Sequence, residues 1–303
     1  MRLFLTQRQS PGDVLCLTAA VRDLKAAHPD WRINVRTSAQ ELWDNNPHLD
    51  GSVNPSNADR TIDCEYPAIH RSNERGLPFI YAFHEYLAQT LGVEVPFGDA
   101  RCDVHLSDAE RAMFSSMPRN TAIIDAGHKM DYTAKMWEWA RYQEVVDRTR
   151  DRWHWVQIGA GNHVHRPLRN VEDMIGRTTL RQLAAIMYQA SMVLTPVSMP
   201  MHLATMEWRH GRRRPCVVVA GGREPSAWEA YTGHQYVHRC GCYPCCAEGG
   251  CWRSRITPLG DGDPKDGSLC VNPVRAASGQ IVPLCMADIS VDEIVRAIEA
   301  YRL

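Results

Sequence analysis

The sequence predicts an α/β protein with two parallel β-sheets, because short apolar strand candidates alternate with helix candidates in two successive series. The first series starts at residue 2, and the second starts with an apolar run at 121–125. Between them the alternation breaks at 115–120. We therefore expect one sheet to end and the other to begin at this break.

The first series opens with its clearest pair of elements, a strand followed by a helix. Apolar residues recur at helical spacing from Val14 to Leu24, and Pro29 ends the run. A capping box at Ser107–Glu110 predicts a further short helix. The strand candidates are Arg2–Thr6, Arg32–Thr37 and Thr61–Glu65, and the longer helix candidates are Asp13–Ala27 and Phe79–Leu91.

The second series alternates strands and helices more regularly. A capping box at Ser290–Glu293 predicts a last helix that reaches Tyr301. The other candidates are the strand Thr121–Asp125, the helix Trp137–Thr149, the strand Trp153–Ile158, the helix Leu180–Ala190, the strand Met192–Thr195, a helix after Pro200 and the strand Pro215–Ala220.

The composition is that of a globular protein, with 44% hydrophobic and 23% charged residues. A net charge of −1 implies no general attraction to nucleic acid or to an anionic membrane. The first residues lack the apolar core of a signal peptide, and no stretch approaches the roughly 18 apolar residues of a membrane span. We expect a cytoplasmic protein without a nucleic-acid partner.

Two turns place candidate functional residues at the carboxyl ends of predicted strands, where open α/β sheets bind ligands. Ser10-Pro11-Gly12 follows the first strand, and Asp13 opens the next helix. This acid either stabilises the helix dipole or acts as a functional carboxylate. The second turn leads into Pro200-Met201-His202, a helix N-terminus whose unpaired N–H groups suit a phosphate.

Taken in order, several segments of the chain resemble glycosyltransferase family 9, the heptosyltransferase-like family. They are Gly12-Asp13-Val14 with the helix that ends at His28-Pro29, Lys135-Met136-Trp137, Gly176–Leu183 and Met201-His202-Leu203-Ala204. The resemblance covers nearly the whole chain and implies the GT-B fold, two facing Rossmann-like domains. One departure occurs at Val197-Ser198-Met199, where the family usually carries Asp-Thr-Gly.

The resemblance and the strand–helix pattern together suggest four regions. We expect an acceptor-side Rossmann-like domain at 1–117 and a nucleotide-sugar-binding Rossmann-like domain at 118–239. A cysteine-rich, metal-binding segment follows at 240–287, and a C-terminal helix at 288–303. In the GT-B fold such a last helix often crosses back onto the first domain.

The resemblance implies transfer of a heptose-like sugar from a nucleoside diphosphate donor, similar to ADP-heptose, to a hydroxyl acceptor. The resemblance leaves a glycan, a lipopolysaccharide or a protein as the acceptor, and it implies that no divalent ion is needed at the diphosphate. Such a transfer requires a base for the acceptor hydroxyl and positive charge for the leaving diphosphate. Asp13 and Lys135 are the candidate catalytic residues. Because Asp-Thr-Gly is missing, the alternative is a non-catalytic sugar-nucleotide-binding or scaffold protein, and either protein could form a homo-oligomer.

Other donor contacts are expected from loops at the carboxyl ends of the strands. Glycines there allow close approach of a nucleotide, and Lys129 supplies a second cation. His202 is either a phosphate or sugar contact or a hydrogen-bonded cap. The donor-binding candidates are Gly12, Lys129, Thr133, Gly159, Gly161, Ser198, Met201, His202, Gly221 and Gly222.

Seven of the 11 cysteines lie between Cys240 and Cys285, in a segment with too little apolar content to order itself. Cytosolic clusters of this kind more often bind metal than form disulfides, and thiolates suit zinc or iron. Disulfides or free thiols are the alternatives. The segment also resembles the tail of autotransporter heptosyltransferases, which carry a four-cysteine iron site. That resemblance implies a structural iron or zinc bound by Cys245 or Cys246 together with Cys251, Cys270 and Cys285.

Overall fold

The computed structural model describes residues 1–64, 74–211 and 213–301. Its strands form two parallel sheets and one antiparallel hairpin, so the predicted α/β class is confirmed. Among the described residues, no helix combines the length and the apolar character that crossing a bilayer requires.

The first sheet has three parallel strands in the order β2-β1-β3. The strands are β1 (Arg2–Gln7), β2 (Arg32–Thr37) and β3 (Arg60–Asp63). The predicted third strand extended to Glu65, which lies outside the described residues. Three helices follow these strands: α1 (Pro11–Ala27), α2 (Ala82–Leu91) and α3 (Asp108–Met113), the last opened by the predicted capping box.

The second sheet has six parallel strands in the order β6-β5-β4-β7-β8-β9. They are β4 (Thr121–Asp125), β5 (His154–Ile158), β6 (Glu172–Asp173), β7 (Met192–Pro196), β8 (Cys216–Gly221) and β9 (His234–His238). Its helices are α4 (Trp139–Thr149), α5 (Leu180–Gln189), α6 (Met199–Leu203) and α7 (Ser226–Glu229). The sequence did not predict the two edge strands, β6 and β9, because neither contains an apolar run.

The C-terminal part contains a hairpin of β10 (Pro273–Arg275) and β11 (Ile281–Pro283), followed by α8 (Leu284–Ala287) and α9 (Val291–Glu299). Helix α9 packs against α4, β8 and β9, and its buried residues join the apolar cluster of the second sheet. The expectation that it crosses onto the first domain is therefore wrong. Helix α9 ends two residues before Tyr301. The Tyr301 hydroxyl donates to the carbonyl oxygens of Cys216 and Gly233, at 3.0 and 2.6 Å.

The two sheets are joined by direct contact between α1 and α6, and one apolar cluster extends through both. Gly12 makes this contact possible. A Cβ atom at Gly12 would lie 3.2 Å from Cδ2 of His202 and 3.5 Å from Cα of Met199. The loops after β1 and β7 are thereby brought face to face.

Candidate active site

A cavity of about 340 Å³ lies between the loops that follow the strands of the two sheets. The first sheet contributes residues 10–13, where β1 leads into α1. The second sheet contributes residues from the loops after β4, β5, β7 and β8. The position agrees with the rule that open α/β sheets bind ligands at the carboxyl ends of their strands, and the volume suits a small organic ligand.

The cavity brings together many of the residues predicted from the sequence. Asp13 lines it from the first turn of α1, and its side chain is largely buried. The predicted residues that line the cavity are Gly12, Asp13, Lys129, Lys135, Gly159, Ser198 and His202.

The remaining predicted donor-binding residues do not line the cavity. Thr133 Oγ1 accepts a hydrogen bond from the Ile256 N–H at 2.9 Å, and Met201 is fully buried in the core. Gly161 packs against Gly176. A Cβ atom at Gly161 would lie 3.5 Å from the Cα atom of Gly176.

Gly221 and Gly222, also predicted to contact the donor, face the cysteine-rich segment instead. Gly221 has φ of +64°, and a Cβ atom there would lie 2.4 Å from Sδ of Met286. A Cβ atom at Gly222 would lie 3.0 Å from Sγ of Cys246. These glycines therefore allow the C-terminal segment to pack closely on the end of β8.

Four cations surround the ring of Tyr132: Lys265 Nζ lies 5.2 Å from its centroid, and the other three line one wall of the cavity. The Lys129 and Lys135 Nζ atoms lie 5.9 and 6.0 Å from the ring centroid, and Arg223 lies 5.3 Å from it. Lys129 Nζ also donates to Ser10 Oγ at 2.5 Å, which links the second sheet to the first. This wall is the part of the cavity best suited to an anionic group.

Glu224 partly compensates this positive charge. Its Oε1 atom lies 2.7 Å from Lys135 Nζ and is also paired with the Arg223 guanidinium. Burial alone would raise the pKa of Glu224, but the charges of Arg223 and Lys135 outweigh it and lower that pKa. Lys129 has no carboxylate partner among the residues that the structure describes.

Two other buried acids in the cavity hold their protons more tightly than usual. Burial raises the pKa of Asp125 to about 6, although Ser198 Oγ donates to its Oδ2 at 3.0 Å. Burial, reinforced by the charge of Glu224, raises the pKa of Glu229 to about 8. Glu229 therefore keeps its proton to a higher pH than Glu224 does.

His202 is a neutral group in this environment. Burial, together with the nearby charge of Lys135, lowers its pKa to about 3. Its Nδ1 lies 2.7 Å from the Tyr231 hydroxyl. It can therefore contact a ligand by hydrogen bonding, but it adds no positive charge at neutral pH.

His165 was not among the predicted site residues, yet its imidazole is almost fully buried in the cavity wall. Neither ring nitrogen has a hydrogen-bond partner among the described residues. The ring fills the space beside two glycines: a Cβ atom would come within 1.9 Å of it from Gly127 and within 2.3 Å from Gly159. Glycines directly after β4 and β5 were the sequence signal that could have indicated this packing.

An aromatic wall closes another side of the cavity. The Phe79 and Trp228 rings lie 4.6 Å apart, and Trp228 meets Trp252 edge to face at 4.7 Å. Trp252 has φ of +55°, an unusual conformation for a non-glycine residue. Flat aromatic surfaces of this kind suit a sugar or a nucleobase.

Four cysteines line a second, much smaller cavity of about 20 Å³. They are Cys245, Cys251, Cys270 and Cys285. Cys246, the other predicted ligand, is buried beside this cavity, and its thiol donates to the Arg239 carbonyl oxygen at 3.3 Å. All 11 cysteines are free thiols in the structure.

The chemistry around the small cavity suits thiolate ligands. Burial raises the pKa of Cys251, Cys270 and Cys285, but backbone N–H groups of Arg253, Asn272 and Gly222 donate to these sulfurs and oppose the rise. Similar N–H groups stabilise metal-bound thiolates. In the described residues no three cysteine sulfurs lie within 4.8 Å of one another, so a tetrahedral ion would have to draw the loops together.

Known proteins of one family match both the sequence and the fold. The model of glycosyltransferase family 9 (heptosyltransferase) matches residues 68–248. No curated protein matches the chain. The family 9 glycosyltransferase from Veillonella parvula has a similar structure, with a TM-score of 0.66 and 15% identity over 99% of this chain and 96% of that one.

Two further solved structures are similar at the level of the fold. Escherichia coli ADP-heptose lipopolysaccharide heptosyltransferase II gives a TM-score of 0.59 and 14% identity, over 99% of this chain and 98% of that one. The third is TibC from enterotoxigenic E. coli, an iron-containing dodecameric heptosyltransferase described in complex with ADP-D-β-D-heptose. Its TM-score is 0.64, with 14% identity over 98% of this chain and 75% of that one. The chain therefore belongs to glycosyltransferase family 9, and it is a glycosyltransferase with the GT-B fold.

Proposed function

We propose that this glycosyltransferase moves a heptose-like sugar from an ADP-heptose-like donor to a hydroxyl acceptor, with Asp13 as the general base. The observation that carries this proposal is the distribution of charge across one cavity. Asp13 enters it from the first sheet, and the cations around Tyr132 enter it from the second. The similarity to heptosyltransferases supports the sugar and the nucleotide.

In the proposed reaction, the Asp13 carboxylate accepts the proton of the acceptor hydroxyl. The hydroxyl oxygen forms a bond to the anomeric carbon of the sugar while the bond from that carbon to the diphosphate breaks. Negative charge then develops on the leaving diphosphate, and Lys129, Lys135 and Arg223 stabilise it without a divalent ion. Lys129 is the strongest candidate for this contact because, within the described parts of the chain, its ammonium group donates to the neutral Ser10 hydroxyl and pairs with no carboxylate.

The second candidate function is a non-catalytic sugar-nucleotide-binding or scaffold protein. Two observations favour it. The usual Asp-Thr-Gly is replaced by Val197-Ser198-Met199, and Lys135 is already engaged by Glu224 and by the Val197 carbonyl oxygen at 3.2 Å. A protein of this kind would bind the donor without turnover.

The test compares Asp13→Asn with the wild type in donor binding and in sugar transfer. Calorimetry with ADP and ADP-heptose should give similar affinities for both, because the carboxamide keeps the size of the side chain. Transfer, followed by mass spectrometry of the glycosylated acceptor, should fall by about 10²-fold or more. The matched control is Asp30→Asn, an exposed acid beyond the other end of α1, which should leave both properties unchanged.

Three outcomes discriminate between these proposals. Loss of transfer with donor binding retained supports Asp13 as the base. Undiminished transfer by Asp13→Asn removes Asp13 from the mechanism. Wild-type protein that binds donors from a panel of nucleotide sugars, but neither transfers nor hydrolyses them, favours the non-catalytic function.

We also propose a structural iron or zinc ion in the cysteine-rich segment, held by Cys245, Cys251, Cys270 and Cys285. The four side chains around one small cavity and the N–H groups directed at three of the sulfurs support it. The ion would hold together loops that pack no core of their own. The iron-containing TibC is consistent with iron in particular.

Elemental analysis of the purified chain tests this metal site. Cys270→Ser should lose about one equivalent of iron or zinc and melt at a lower temperature, since a ligand that binds only the folded state stabilises it. Cys242→Ser is the control, because that exposed cysteine does not line the cavity. Mapped disulfides, or equal metal content in both variants, would refute the site.

The acceptor, the assembly and the compartment complete the proposal. The acceptor is a glycan, a lipopolysaccharide or a protein that the enzyme meets in the cytoplasm. The dodecameric state of TibC supports a homo-oligomer. Light scattering of the purified chain would test the assembly, and a monomer at working concentrations would contradict it.

A further inference from the structure

A compact group of potential metal ligands lies outside the active-site cavity. His48, Asp103 and His105 each offer one ligand atom, and these atoms lie within 4.8 Å of one another. Within 1–64, 74–211 and 213–301 this is the one such group of three or more histidine, cysteine or acidic side chains. We propose that His48, Asp103 and His105 form a binding site for a divalent transition-metal ion, best suited to zinc.

The distances within this group are those of a metal site. Asp103 Oδ2 lies 2.8 Å from His105 Nε2 and 3.3 Å from His48 Nε2. Ligands bound at about 2.0–2.1 Å from one ion are roughly 3.0–3.4 Å apart in octahedral or tetrahedral geometry. The two distances to Asp103 are therefore compatible with a shared ion, which would replace the hydrogen bonds that both imidazoles make to this carboxylate.

Hydrogen bonds hold the backbone of each ligand in place. The Asp103 N–H donates to Thr18 Oγ1 at 2.7 Å, and the His48 N–H donates to Asn46 Oδ1 at 2.9 Å. The carbonyl oxygen of His105 accepts from Arg181 at 2.7 Å. These bonds fix the backbone positions from which the three side chains project.

The exposure of the group leaves room for water on the ion. The Asp103 side chain is 10% exposed, whereas those of His48 and His105 are 25% and 32% exposed. Two imidazoles, one carboxylate and an open position make up a common zinc environment. The guanidinium contact from Arg181 does not exclude a cation, because Glu110 pairs with that group at 2.6 Å.

The place of the site in the fold suggests its role. Asp103 and His105 lie on the segment that leads from α2 to α3, and His48 lies beyond β2. The same segment also contacts the chain just after α6, which follows a strand of the second sheet, since the Cys102 N–H donates to Thr205 Oγ1 at 2.9 Å. An ion here would fasten this connecting segment to the first sheet.

The experiment titrates the full-length, chelator-treated protein with zinc chloride and follows binding by calorimetry. His48→Ala and His105→Ala should each bind one zinc fewer than the wild type, or bind it at least about 100-fold more weakly. The matched control is His154→Ala, which removes a partly exposed histidine that pairs with Glu172 at 3.1 Å but has no third ligand among the described residues. It should bind zinc as the wild type does.

Two further measurements separate this site from the cysteine segment and from misfolding. Cobalt bound at the histidine site should lack thiolate charge-transfer absorption, and Cys270→Ser should retain this cobalt. Without metal, the histidine variants should melt somewhat below the wild type, because Asp103 loses a hydrogen-bond partner, and zinc should raise the melting temperature of the wild type and His154→Ala more than theirs. Wild-type zinc stoichiometry and affinity in both His48→Ala and His105→Ala would overturn the proposal.

Discussion

Replacing Asp125 with asparagine should stabilise the protein at neutral pH. Asp125 is the last residue of β4, and its carboxyl group is buried in the wall of the active-site cavity. His165 Nδ1 lies 3.9 Å away but provides no charge at neutral pH, because burial and the neighbouring His163 and His128 lower its pKa to about 4. The ionised Asp125 carboxylate is therefore poorly compensated.

The pKa shift of Asp125 sets the size and the sign of the effect. Burial raises its pKa from 3.8 to about 6 in the folded state. At 1.36 kcal/mol for each pH unit, the ionised group destabilises the folded state by about 3 kcal/mol. The folded state keeps the proton between pH 3.8 and 6 while the unfolded state releases it, so stability falls through this interval and stays reduced above it.

Urea unfolding of both proteins at a series of pH values from 4 to 8 measures the effect. The asparagine can keep both local hydrogen bonds, with Ser198 Oγ at 3.0 Å and the Gly127 N–H at 3.3 Å, by placing its amide nitrogen towards the serine. Asp125→Asn should gain up to about 3 kcal/mol over the wild type at pH 7 and little at pH 4. Asp50→Asn, which removes a partly exposed acid whose pKa Arg32 and Ser52 hold low, should show no such gain. A difference between Asp125→Asn and wild type that does not change with pH would refute the reasoning.

Two other substitutions probe the cavity directly. Lys135→Ala should weaken ADP binding about 10-fold in calorimetry, since it removes a cation and leaves the negative charge of Glu224 less compensated. An unchanged affinity for ADP would mean that the diphosphate binds elsewhere. Gly159→Ala would place a Cβ atom 2.3 Å from the His165 ring, so we expect a loss of about 1–3 kcal/mol in the free energy of unfolding and weaker donor binding. Gly51→Ala, which meets no atom within 4 Å, is the control, and equal stability of the two variants would contradict this packing.

Much of the fold could be predicted because its signals are local. The helical spacing after Asp13 and the capping boxes at Ser107 and Ser290 each depend on a few consecutive residues, and all three helices form. The edge strands were missed for a physical reason. Glu172–Asp173 is too short to show a period, and His234–His238 is only partly buried, so neither needs an apolar run.

Sequence reasoning found the site residues that lie in loops after strands. It missed site residues that reach the cavity from segments far away in the sequence. Asp13 and Lys129 follow β1 and β4 directly, so their position at the cavity follows from topology. Trp252 reaches the same cavity from the cysteine-rich segment, whose course no periodicity determines. Gly221 was correctly placed at the end of β8, but close packing against Met286 turns it away from the cavity.

Arg223 belongs to the walls of both cavities, the large one between the sheets and the small one lined by cysteines. The adjacent residues Cys251 and Trp252 likewise face the small and the large cavity, respectively. A ligand that orders this shared partition from one side alters the free energy of binding on the other, and thermodynamic linkage makes that coupling equal in both directions. We therefore expect donor affinity to depend on the redox or metal state of the thiols, and donor binding to change the affinity of the thiols for metal by the same factor.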